Sequence, residues 1–256
     1  MTETDLVPNE PSLDPTTFLE GDLTADRLDS FKKAAFKSVD SFQHLRDWLF
    51  DPRAQGTARG IALWALGRHD EAAPLLAASD VNDVTAVCLA ESYAALGQID
   101  NAKECLPKRE SDPAQALAWL RALDATNATE QLVEETSRLT ALLPGPDQAY
   151  FRGRVLELQR DVDGSIEAYD EVLSHDENHK HALFRLALNV DLRGEDEEAR
   201  ELYERALMAP PVNIACVVNL GILYEDMGNY RRAMQCFDLA LRYQPDNACA
   251  RAVRRA

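Results

Sequence analysis

An all-α solenoid, a stack of antiparallel helical hairpins, is the fold class this sequence predicts, on three observations. The first is helical periodicity on both sides of a tight turn. Val217, Leu220, Tyr224 and Met227 recur at i, i+3, i+7 and i+10, one stripe of a helix; Tyr230, Ala233, Met234, Phe237, Ala240 and Leu241 make a second stripe. Gly228-Asn229 between them tolerates positive φ, and Pro245 ends the second helix because it has no N–H to donate. The second observation is repetition. In 180–213, 34 residues earlier, Ala187 takes the place of Gly221 and Gly194 that of Gly228; Ala199, Tyr203, Ala206 and Pro211 replace Ala233, Phe237, Ala240 and Pro245. Residues 146–179 carry Gly153, Ser165, Tyr169 and Val172 in the same register, with Arg160 at the turn glycine and Glu177 at the proline. The third observation is physical. One hairpin cannot bury two apolar stripes alone, so gapless copies must stack on their neighbours.

From the N-terminus, residues 1–23 hold six carboxylates, three prolines and no Lys or Arg, which predicts a disordered acidic tail. Thr24 is suited to cap a helix through about Val39 with Leu28, Phe31, Ala35 and Val39 inward; Lys32, Lys33 and Lys37 form a solvated face opposite. Ser41 is suited to cap a short second helix with Phe42, Leu45, Trp48 and Leu49 inward, stopped at Asp51-Pro52. Together 24–52 predict a helical hairpin that caps the N-terminal end of the stack.

Residues 53–145 predict degenerate repeats. In 53–82, Gly60, Gly67, Ala72 and Leu76 take the places of Gly221, Gly228, Ala233 and Phe237; in 83–111, Leu89, Ala90, Tyr93, Gly97, Ile99, Ala102 and Leu106 fall likewise. Residues 112–145 have the right length but poor residues: Ala116, Leu117, Trp119 and Leu120 on a first helix, a turn at 124–127, a second helix over 132–143. Pro144-Gly145-Pro146 then marks a bend or joint. Three regular repeats fill 146–247, and 248–256 begin another first helix behind an Asp246-Asn247 cap, either a minimal cap or the start of a longer stretch.

The residue types in 214–247, including Leu220-Gly221, Tyr224, Gly228, Tyr230, Ala233, Phe237, Ala240 and Pro245, resemble one tetratricopeptide repeat. Tyr93-Ala94-Ala95-Leu96-Gly97 is similar to the same pattern. The resemblance covers at least 146–247 and implies a right-handed α-solenoid whose first helices line a concave groove that holds a partner peptide or helix. Carried over position by position, it implies groove-facing Tyr150, Phe151, Arg154 and Glu157; His181, Phe184, Arg185, Leu188 and Asp191; and Ala215, Val218, Asn219, Ile222 and Glu225. Tyr150, Arg154, Phe184, Arg185, Asn219 and Ile222 are the contact residues it implies, the arginines meeting partner carboxylates unless Glu157 and Asp191 pair with them locally. Repeat proteins that grip acidic chaperone C-termini need Lys, Asn and Arg where Tyr150, Arg154, Arg185, Ala215 and Asn219 stand here, so that clamp is absent. The basic end also resembles repeat proteins that continue into a domain like the C-terminal domain of the RNA polymerase α-subunit. That implies an alternative, the interaction module of a larger regulatory, transcription-associated protein.

Charge and motifs narrow the function. Net charge is −17 and the isoelectric point about 4.7, which argues against general affinity for nucleic acid or anionic membrane. Five cysteines without C-x-x-C spacing suit buried free thiols in a reducing compartment. No 18-residue apolar run and no signal-type N-terminus is present, so a cytoplasmic location is expected. G-x-S-x-G, H-E-x-x-H, Walker and G-x-G-x-x-G patterns are all missing, so neither catalysis nor a cofactor is expected. His175, His179 and His181 crowd one stretch with two carboxylates, but it falls at a turn between repeats, where polar residues collect; no metal is expected.

Overall fold

The computed structural model describes Pro15 and residues 24–80, 82–208 and 212–253, so the expectation for the acidic tail lies outside the described residues. Among them are α1 (Ala25–Ala35), α2 (Val39–Trp48), α3 (Gly56–Ala65), α4 (His69–Ala77), α5 (Asp83–Ala95), α6 (Ile99–Cys105), α7 (Pro113–Ala125) and α8 (Thr129–Leu139). A 3-10 turn at Thr140–Leu142 follows, then α9 (Gly145–Leu158), α10 (Val162–His175), α11 (Lys180–Leu192), α12 (Asp196–Ala206), α13 (Ile214–Asp226), α14 (Tyr230–Tyr243) and α15 (Ala248–Val253). No strand occurs among the described residues. From α3 on, odd and even helices pair as hairpins, and the hairpins stack in order into an α-solenoid.

Each of these six hairpins turns on a residue with left-handed backbone: Gly67, Gly97, Asn127, Arg160, Gly194 and Gly228. In all of these hairpins but the third, a small residue on the first helix faces a large one on the second. A Cβ added to Gly153 would lie 2.7 Å from the Tyr169 ring, and one added to Gly221 would lie 2.8 Å from the Phe237 ring. Ala187 with Tyr203, and Ala90 with Leu106, are fully buried at the same positions. That close approach seats each hairpin's core.

Several boundaries differ from the sequence reading. Helix α1 stops at Ala35, not Val39, because Ser38 caps the next helix: its Oγ accepts the Ser41 N–H at 3.1 Å. The prolines at 144 and 146 open α9 instead of parting two halves, since proline is tolerated in a helix's first turn. The third hairpin turns at Asn127, 33 residues before Arg160, so its register is one residue off the 34-residue spacing. In that register Leu120 occupies the small position and Thr136 the large one. A half-open pocket of about 430 Å³ lies between α8 and α9, lined in part by Thr136, Thr140, Val155 and Leu156.

The hairpin of α1 and α2 does more than cover the first repeat. Leu28, Phe31, Leu45 and Trp48 pack with Ile61 and Trp64, while Val39 and Phe42 join the core cluster of the later repeats. The Val212 N–H donates to the Phe36 carbonyl at 3.2 Å, and the Phe42 and Tyr243 rings stand 5.1 Å apart.

Candidate partner-binding groove

Tyr150, Arg154 and Glu157 recur at helical spacing on α9 and share a face of it. Asp124 comes from the last turn of α7 and Arg185 from α11, so three successive first helices meet at one point. The Arg154 guanidinium donates through Nε to Asp124 Oδ1 at 2.7 Å and pairs with Glu157 Oε2 at 2.8 Å. Arg185 reaches the same two carboxylates, Glu157 Oε1 at 3.3 Å and Asp124 Oδ1 at 3.5 Å. The Tyr150 hydroxyl donates to Asp124 at 3.0 Å, and Tyr169 of α10 donates to Glu157 at 2.8 Å.

Two cations, two anions and two hydroxyls therefore satisfy one another. The Arg154 side chain is only 4% exposed. Burial opposes its charge, but Asp124 and Glu157 outweigh that and raise its pKa above the ordinary arginine value. Burial also pushes up the phenols of Tyr150 and Tyr169, with Asp124 and Glu157 adding to it, so both stay donors.

The six residues expected to touch a partner divide by burial. Tyr150, Arg154 and Phe184 are buried; Arg185, Asn219 and Ile222 are half-buried. Phe184 packs toward Tyr203, ring centroids 6.2 Å apart, under the Arg185 guanidinium. The two arginines are not free for a partner's carboxylate, because the chain's own acids hold them. Glu157 was the local partner the sequence suggested; the second is Asp124, while Asp191 instead accepts the Tyr203 hydroxyl at 3.1 Å. Asp124 escaped the sequence reading because the 34-residue register hid its equivalence to Glu157. The one-residue shift at Asn127 is the signal that reveals it.

Beside this network the first-helix face is open. His181 and Ala215 are exposed, and Leu188, Asp191 and Glu225 are half-buried. Among the described residues, no three His, Cys, Asp or Glu side chains converge as metal ligands. His179 is engaged otherwise: its Nδ1 accepts the Ala182 N–H at 3.1 Å and caps α11. The protein around the His181 ring, then His179 and Arg121, hold that imidazole below the usual histidine range although it reaches solvent.

Two family models described as tetratricopeptide repeat match the chain, over residues 147–213 and 192–256. The chain is 32% identical over 85 residues to the photosystem I assembly protein Ycf3 of Prochlorococcus marinus (strain MIT 9215), covering 32% of this chain and 49% of that one. It is 31% identical over 97 residues to the Protein CTR9 homolog of Arabidopsis thaliana, covering 38% of this chain and 9% of that one. The matches thus span about half of the first relative's length and less than a tenth of the second's. A solved structure, the APC/C hetero-tetramer Cut9-Hcn1, superposes with a TM-score of 0.58 at 16% identity, over 94% of this chain and 51% of that one. That likeness is one of fold. No described helix is long and apolar enough to cross a membrane.

Proposed function

Starting from the premise that this chain is a tetratricopeptide-repeat protein, we propose that it is a non-catalytic scaffold holding a segment of a partner protein in its groove. The observation that carries this reading is the contrast along one face. Ile222 keeps part of its surface in solvent, as does Leu188, its equivalent one repeat earlier, and Asn219 and Arg185, also half-buried, stand one helical turn before them. Half-exposed aliphatic side chains among polar ones offer what an extended or helical segment needs: anchoring area with directional hydrogen bonds beside it. Tyr150, Arg154 and Phe184, which the family resemblance also implied as contacts, are buried, the first two held by Asp124. The acidic composition favours a protein partner over nucleic acid.

The experiment begins with capture of partners from native lysate and their identification by mass spectrometry. Binding of the recovered partner to Ile222→Ala and Asn219→Ala is then compared with the unaltered chain. The expected loss is about 1–2 kcal/mol per contact residue, roughly 5- to 30-fold in Kd, with unchanged melting. Full binding by both folded variants would remove the groove as the site.

A further inference from the structure

The groove-facing positions of the last repeat have equivalents in the first. Gly60 matches Gly221, so Ala54, Ile61 and Trp64 match Ala215, Ile222 and Glu225. Three of the five positions are more buried in the first repeat; Thr57 and Ala58, which match Val218 and Asn219, are half-buried. Ala215 is exposed, with Ile222 and Glu225 half-buried, whereas Ala54, Ile61 and Trp64 are 3%, 1% and 4% exposed. Something covers the concave side of the first repeat, and the contacts identify it as the α1–α2 hairpin. Phe31, Leu45, Trp48 and Leu49 lie in one apolar cluster with those three side chains and with Val84 and Cys88 of α5. The Lys32 amine stands 3.9 Å over the Trp64 ring, and Arg59 donates to the Leu49 carbonyl. The other side of the hairpin meets the opposite end of the solenoid, through the Phe36–Val212 hydrogen bond and the packing of Phe42 on Tyr243.

We infer that residues 24–50 are an intramolecular occupant of the groove: a clasp that fills its first two repeats and hooks the last repeat to the first. The inference goes beyond the partner-binding reading and rests on contacts which that reading does not use. The two attachments are unequal. Toward the first repeats the hairpin presents two rows of large apolar side chains; toward the last it presents Val39, Phe42 and the half-buried Phe36, beside the Phe36–Val212 hydrogen bond. Release of the hook would separate the ends while the hairpin stays seated on Trp64. A ligand longer than the open face must displace the hairpin itself.

A disulfide trap in the full chain tests this. The Phe36–Val212 hydrogen bond brings the two backbones within disulfide reach, so Phe36→Cys with Val212→Cys places a thiol on each side of the hook. Cys105→Ser and Cys249→Ser remove the other accessible thiols, leaving the buried Cys88, Cys216 and Cys236. Mild oxidation should give a monomer with one cross-link between positions 36 and 212. Two folded-protein thiols that stay open to alkylation, or a link formed only between two chains, would overturn the clasp. Adding Phe42→Ala should slow trapping roughly tenfold or more while helical circular dichroism persists. An unchanged trapping rate in that variant would overturn the hook, and if the variant does not fold, the trap alone decides.

Discussion

Arg160 occupies a turn position that glycine fills in four of the other five hairpins, and its backbone is strained there, at φ +65°. A left-handed conformation crowds Cβ against the following carbonyl, at a cost of roughly 1–2 kcal/mol in any residue but glycine. The Arg160 side chain is exposed, so little packing offsets that cost. Arg160→Gly should therefore stabilise the protein by about 1 kcal/mol, less than the full strain because glycine gains freedom in the unfolded chain. A thermal melt that stays put or falls would mean that the arginine makes up its strain elsewhere. This position was legible as a substituted turn glycine. The buried pairing of Arg154 was not. A sequence shows that an arginine stands at a groove position, but not that an acid 30 residues earlier reaches it, least of all across a change of repeat length.

Helix pairs are the scale at which the sequence spoke most clearly. Small-against-large matching recurs at a fixed offset, and the coordinates give it a distance. Gly153 and Gly221 leave no space for even a methyl group beside Tyr169 and Phe237. Gly153→Leu and Gly221→Leu should each destabilise by about 1–3 kcal/mol or more, because an aromatic ring fixed in a buried core cannot step aside. Melting of the two variants checks this, with Gly145→Ala as a control, where an added Cβ meets nothing within 4 Å. The third hairpin was less legible for the same reason in reverse. Thr136 stands where the later hairpins carry a ring, its hydroxyl is buried with no hydrogen-bond partner, and a pocket opens beside it. Residue types alone make that hairpin look poor without showing that a pocket opens beside it. The α1–α2 hairpin was legible as helices, but its second attachment was not, because contacts between residues 36 and 212, or 42 and 243, leave no trace in local periodicity.

Across the whole molecule, the Asp124, Arg154, Glu157 and Arg185 network does what no single hairpin can. It links α7, α9 and α11, and so fixes how three successive repeats stack. As groove contacts meeting a partner's carboxylates, both arginines would leave folding intact when replaced by alanine and be needed for binding alone. The geometry reverses the first half of that expectation for Arg154. Removing a buried partner strands the charges it neutralised, at a cost of about 3–5 kcal/mol, whereas an exposed ion pair contributes about 0–1 kcal/mol. Arg154, 4% exposed, belongs to the first case; Arg185, at 20%, still shares its carboxylates with solvent. Arg154→Ala should therefore lower stability far more than Arg185→Ala, since only the first leaves Asp124 and Glu157 without their closest cation. Melting and chemical denaturation of the two single variants decide between the cases. Equal, small losses would show that water reaches the network and that the repeats stack on apolar contacts alone. A large loss confined to Arg154→Ala would show that the stacking of three repeats hangs on one guanidinium, and any binding defect in that variant would then have to be read as misfolding rather than as a lost contact.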